Sequence, residues 1–177
     1  MRDIRGTKTE QNLMAAFRGE SAARNKYTFF AQVAKEAGLE QIAAIFLETA
    51  ENERAHAEIL ARVLKLIGST EENLKAASEG ENYEHTKMYP EFERTAREEG
   101  FDEIADIFRK LAEVEERHEK RFLALLQDLR EGKIFRRDRA ARWICRNCGY
   151  VYEGNEAPKT CPLCGRPQAY FELHAEI

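Results

Sequence analysis

A chain of 177 residues, 43% hydrophobic and 34% charged, carries enough apolar material for one ordinary domain, or a mid-sized domain with a small appendage, under a heavily charged surface. Its net charge of −4 and the scatter of its 28 basic residues argue against a nucleic-acid-binding face. The opening MRDIRGTKTEQNLMAAF lacks the apolar run of an export signal and no stretch approaches membrane-spanning length, so a cytoplasmic chain that meets no membrane is expected.

Residues 9–131 are poor in Pro and rich in Ala, Glu, Leu, Lys and Arg, the composition of long helices. Thr7 and Glu10 have the spacing of a capping box at the start. Gly38, Gly68, Gly100 and Gly132 follow at intervals of about thirty residues, where helix C-caps belong. Four helices are therefore expected, with Pro90 kinking the third and Gly80 weakening its first half. The region also repeats. YTFFAQVAKEAGLEQIAAIF (27–46) matches YPEFERTAREEGFDEIADIF (89–108) at an offset of 62 residues. Two related helical hairpins predict an all-α four-helix bundle with approximate two-fold symmetry.

The apolar stripes of these helices are interrupted at one level by acids and imidazoles. ENERAH places Glu53 and His56 in the stripe of the second helix, and EVEERH places Glu115 and His118 in that of the fourth, again 62 residues on. Glu20 interrupts the first stripe; Glu81 and Glu84 interrupt the third. Five carboxylates and two imidazoles cannot share an interior uncompensated, because each buried charge costs several kcal/mol and like charges repel. One Glu from each of two helices and Glu-x-x-His from each of the other two is the ligand set of a carboxylate-bridged di-iron or di-manganese centre. Glu84 is surplus: either a rim carboxylate, or a fifth one that a metal can gain or lose. Tyr27 and Tyr89 lie seven and eight residues beyond Glu20 and Glu81, within reach of ligand carboxylates or simply in the core. His85 and His174 have no partner pattern and are read as surface residues.

After Gly132 a basic stretch, KIFRRDRAAR, leads into a 35-residue tail holding all four cysteines, the only Trp and three of the four Pro. The predicted domains are 1–135, a linker over 136–142, and 143–177. Cys145-x2-Cys148 and Cys161-x2-Cys164 converge four thiolates on one tetrahedral site for zinc or a single iron. Gly149, Gly165 and Pro162 supply tight turns whose N–H groups point at sulfur. So small a tail depends on its metal to fold.

FRGES around Glu20, ENERAH, GENYEHTKMYP, EERHEKRF, and CRNCGYVYEG with CPLCG together resemble the rubrerythrin family, end to end. The resemblance implies a ferritin-like di-iron bundle followed by a rubredoxin-like domain whose four cysteines hold one iron. It implies that Glu53 and Glu115 bridge, that Glu20, Glu81 and His118 are terminal ligands, and that Glu84 and His56 alternate on one iron with redox state. Tyr27 and Tyr89 match the family's tyrosines behind the ligands. The twelve-residue gap between cysteine pairs is shorter than in free-standing rubredoxins and similar to rubrerythrin tails. The implied activity is a peroxidase reducing hydrogen peroxide to water. Its electrons come from an external donor, a rubredoxin or an NAD(P)H-dependent reductase, since no dinucleotide fingerprint is present. A homodimer is also implied. The alternative, a ferroxidase or iron-storage protein, has no use for a thiolate-bound electron carrier.

Overall fold

In a computed structural model, residues 3–174 are described; the outer ends of the two predicted domains, 1–2 and 175–177, lie outside the described residues. The chain divides into two compact units after Gly68. In the first, α1 (Lys8–Glu36) and α2 (Glu40–Val63) form an antiparallel hairpin. The second begins with α3 (Thr70–Tyr83), passes through a π-helical segment Glu84–Met88 into α4 (Tyr89–Glu98), and turns back along α5 (Asp102–Arg130). Strands β1 (Arg136–Cys145), β2 (Val151–Glu156) and β3 (Phe171–Leu173) then build a small antiparallel sheet in the order β2-β1-β3. No helix among the described residues is long and apolar enough to cross a membrane.

The internal repeat survives in three dimensions. Ala34 and Ala43 are buried between α1 and α2, and their repeat partners Ala96 and Ala105 are buried in the second hairpin. Small side chains at these positions let the helix pairs close up. Tyr27 stacks on Phe46 at 6.2 Å and 28°, and Tyr89 on Phe108 at 6.1 Å and 29°. The turns match as well. Gly38 and Gly100 take φ of 74° and 84°, and the next N–H reaches back to Ala34 and Ala96 respectively, closing a Schellman cap in each.

Three local expectations are revised. Thr7 does accept the Glu10 N–H, but the Glu10 carboxylate takes the Gly6 N–H at 2.7 Å rather than completing the box. The complete capping box is at Ser69 and Glu72, at the head of α3. Second, α2 ends at Val63, five residues before Gly68. Lys65 adopts φ 58° there, with the Leu66 N–H on the Ala61 carbonyl.

Third, Pro90 lies in a helical stretch that is not α-helical throughout. It is preceded by the π turn, in which the Tyr89 N–H pairs with the Glu84 carbonyl five residues back. Proline lacks an N–H and crowds the carbonyl four residues upstream, and a widened turn just ahead of it relieves both. The π turn also accounts for the unequal spacings. Seven residues separate Glu20 from Tyr27, but eight separate Glu81 from Tyr89. One extra residue in a helix is what a π turn absorbs, so register is regained by Tyr89.

Residues 136–142, expected as a linker, are extended and form the leading part of β1. Arg136 pairs with Glu156, and the register shifts before Ala141. Arg137 fastens this strand to the end of α5, binding Asp128 at 2.6 Å and the Lys133 carbonyl.

Candidate metal centres

Glutamate and histidine three residues apart on a helix project from one face, and each hairpin uses this once. On the first hairpin, α1 supplies Glu20 while α2 supplies Glu53 and His56. On the second, α3 supplies Glu81 while α5 supplies Glu115 and His118. Within each trio one donor atom from every residue lies within 4.8 Å of the others. The Nδ1 atoms of His56 and His118 sit 2.8 Å and 2.6 Å from Glu53 and Glu115, and His118 Nδ1 is 3.8 Å from Glu81. The atoms that would share a cation thus lie within hydrogen-bonding reach of one another. The glutamates are well covered, at 16% exposure for Glu53 and 13% for Glu115, whereas His56 keeps 55%.

The second trio shows the electrostatic cost of crowding carboxylates. Burial, then the charge of Glu115 and a hydrogen bond with it, push the Glu81 pKa upward; His118 opposes this and Glu84 adds to it. Burial also raises Tyr89, reinforced by Glu84, Glu115 and Glu81 in that order. The Tyr89 phenol therefore stays protonated and can donate towards these acids. Glu84 is not part of the convergent trio, but its charge is felt at both neighbours. A cation is the natural relief for such crowding, and carboxylate-rich sites with one imidazole suit iron or manganese.

The four cysteines converge on a second site. Cys145 and Cys164 sulfurs are 3.8 Å apart, and Cys148 and Cys161 3.6 Å. Those separations are far too long for a disulfide and close to the edge, about 3.8 Å, of a tetrahedron with 2.3 Å metal–sulfur bonds. Two knuckles make the geometry. In each, a glycine in the left-handed region, Gly149 or Gly165, returns its N–H to the carbonyl of the first cysteine.

N–H groups of these turns point at sulfur, from Tyr150 to Cys148 and from Arg166 to Cys164. The Arg166 N–H lowers Cys164 to about 6 against the effect of burial. The Tyr150 N–H acts to lower Cys148, but burial and the neighbouring sulfurs together push it up to about 12. Four thiols this close cannot all ionise without a cation. Beneath the site, Trp143 is fully buried, donates to the Gly154 carbonyl at 2.9 Å, and packs with Cys145, Ala157, Cys161 and Phe171.

One contact was illegible in the sequence. His85, expected on the surface, is only 17% exposed, and its Nε2 meets the Glu119 carboxylate at 2.7 Å. Its partner is 34 residues away on another helix, beyond the reach of any local spacing rule.

The comparisons with known proteins agree with this geometry. The rubrerythrin family model matches residues 11–126, and the model of the rubrerythrin rubredoxin-like domain matches 143–172. The chain is 52% identical to a rubrerythrin of Porphyromonas gingivalis, over 97% of this chain and 92% of that protein. It is 47% identical to a rubrerythrin of Nitratidesulfovibrio vulgaris, over 98% and 97%. A solved structure of nigerythrin in a partially reduced state shares 34% identity with a TM-score of 0.37, covering 94% of this chain and 86% of that one. Two carboxylate–histidine trios, a four-cysteine knuckle pair and two domain models in the same order make one conclusion: the chain belongs to the rubrerythrin family.

Proposed function

We propose that this chain is a non-haem di-iron peroxidase that reduces hydrogen peroxide to two waters, taking up two electrons and two protons per turnover. It is a rubrerythrin with donor sets that fit a di-iron centre and a single thiolate-bound iron. The observation that carries the reading is the presence of both donor sets in one chain. When bound, two irons supply the two electrons that cleave one O–O bond, and the thiolate site supplies electrons singly to replace them.

The di-iron centre would be held by Glu53 and Glu115 as bridging carboxylates, by Glu20, Glu81 and His118 as terminal ligands, and by Glu84 or His56 as the pair that would exchange with redox state. Tyr27 and Tyr89 orient ligand carboxylates, Tyr89 as a protonated donor. Electrons arrive from a rubredoxin or an NAD(P)H-dependent reductase, the working form is a homodimer, and it acts in the cytoplasm against oxidative stress. The bundle comprises 1–135 and the electron-carrying tail 143–177. Ferroxidase or storage activity is disfavoured because it needs no internal electron carrier.

Metal analysis with a visible spectrum, then dithionite reduction and one equivalent of peroxide, tests the reading. Three irons per chain and thiolate-to-iron bands that bleach and return with peroxide are expected. Cys161→Ser should abolish turnover with a protein donor while leaving the chemically reduced bundle reactive to peroxide. Zinc in the tail, or both activities lost together, would overturn the relay.

A further inference from the structure

Glu119 makes two long-range contacts that neither donor trio uses. Its Oε1 accepts from Asn82 Nδ2 at 2.9 Å, and its Oε2 meets His85 Nε2 at 2.7 Å. Asn82 directly follows Glu81, and His85 directly follows Glu84. One carboxylate on α5, next to His118, therefore grips the residues just past both acids of the third helical stretch. His85 and Glu119 are 17% and 16% exposed, so this pair is shielded from the screening that weakens surface ion pairs. Thr86 adds a local tie, its hydroxyl donating to the Asn82 carbonyl at 2.6 Å within the widened turn.

The repeat supplies an internal control. In the first hairpin the position matching Glu119 is Ala57, which is buried, and the position matching Asn82 is Ser21, whose hydroxyl bonds within its own helix to the Phe17 carbonyl. His85 falls at the inserted residue, opposite Ala23 or Arg24. Among the described residues, that hairpin has an unbroken α1, no surplus carboxylate and no clamp. The three features occur together on one hairpin and are missing together from the other. A π turn is a rare, single-turn interruption of an α-helix, found frequently at functional sites. Slippage by one residue would rotate Glu84 by about 100° around the helix and carry it away from Glu81.

We propose that the Asn82–Glu119–His85 clamp is a positioning device for Glu84, tying the π turn to α5 so that the surplus carboxylate stays beside Glu81, Glu115 and His118. The proposal rests on Glu84 being a metal ligand. A rigid tether on the residue after the ligand fixes where its backbone stands while its own side chain remains free to swing. Asn82, His85 and Glu119 are thus positioning residues, acting through Glu84 and touching no reacting atom.

The test uses the full chain with four variants, His85→Phe, His85→Gln, Asn82→Ala and Glu84→Ala. Two readouts are taken: amide exchange across 84–88 in the metal-free protein, and the rate at which a chelator strips each iron from the loaded protein. His85→Phe keeps the ring volume and loses the N–H. It should speed exchange at 84–88 and the loss of one bundle iron by roughly tenfold each, leaving the tail iron and exchange in α1 untouched. His85→Gln restores a donor and should recover most of both. Should His85→Phe fail to fold, Asn82→Ala on the exposed side of the clamp carries the same expectation at smaller size.

Unchanged exchange and iron retention in His85→Phe would overturn the proposal, provided Glu84→Ala does lose iron faster. A uniform rise in exchange over α3 to α5 would also overturn it, since that marks general packing. If Glu84→Ala keeps its irons like the parent, the ligand reading of Glu84 fails and the clamp's role fails with it.

Discussion

Glu81 is where the work of assembling an acidic site without its cation is concentrated. Its pKa is raised above the 4.5 of a free glutamate, first by burial and next by Glu115. Relative to the unfolded chain, the fold therefore favours the protonated acid. The stability from that preference is full below pH 4.5 and is lost as the pH rises through the raised value. Glu81→Gln removes the penalty. It should raise the thermal midpoint of the metal-free protein at pH 7 by roughly 1–3 °C while lowering the iron retained. A lower midpoint for the variant would show that Glu81 stabilises the empty fold. The acids and imidazoles of both trios were legible in the sequence because a charge in an apolar stripe violates helix patterning, twice and at one offset. His85 was not, because its neighbours on the π turn and its partner on α5 are set by tertiary packing.

Helix ends divided along the same line. Gly38, Gly100 and Gly132 could be read as caps because only a residue without Cβ takes positive φ readily. Gly68 misled, since Lys65 takes the left-handed position at the expense of local strain and stops α2 early. The π turn was missed although its trace was present, in spacings of seven and eight residues between matching Glu and Tyr; a proline beside it offered the simpler explanation of a kink. At the head of α3 the Ser69 hydroxyl accepts the Glu72 N–H at 3.3 Å and the Glu72 carboxylate accepts the Ser69 N–H at 2.7 Å. This cap fixes where the second hairpin begins. Ser69→Ala should therefore cost about 1 kcal/mol. A drop of roughly 2–4 °C in the thermal midpoint of the helical signal is the expected reading, and no drop would mean that packing alone sets that boundary.

On the scale of the whole molecule, the helices and the tail are held by different physics. The hairpins bury alanine seams over long helices, whose backbone bonds are made within each helix. The tail has a core of five buried residues, two of them cysteines of the metal site. Removing its cation leaves four thiols in contact, with Cys164 lowered to about 6 and Cys148 raised to about 12. Acid weakens the metal's hold because protons compete for the thiolates. Trp143 is the only tryptophan in the chain and lies at the centre of this small core. Its fluorescence therefore reports the tail, whereas far-UV circular dichroism is dominated by the helices. Treating the loaded protein with a chelator at about pH 5 should shift the tryptophan emission to the red while the helical signal stays within about a tenth of its starting value. Loss of both signals together would mean that the helices depend on the tail's metal. A buried emission maximum that persists after the iron has left would mean that β1, fastened to α5 through Arg137 and Asp128, holds the sheet together without it.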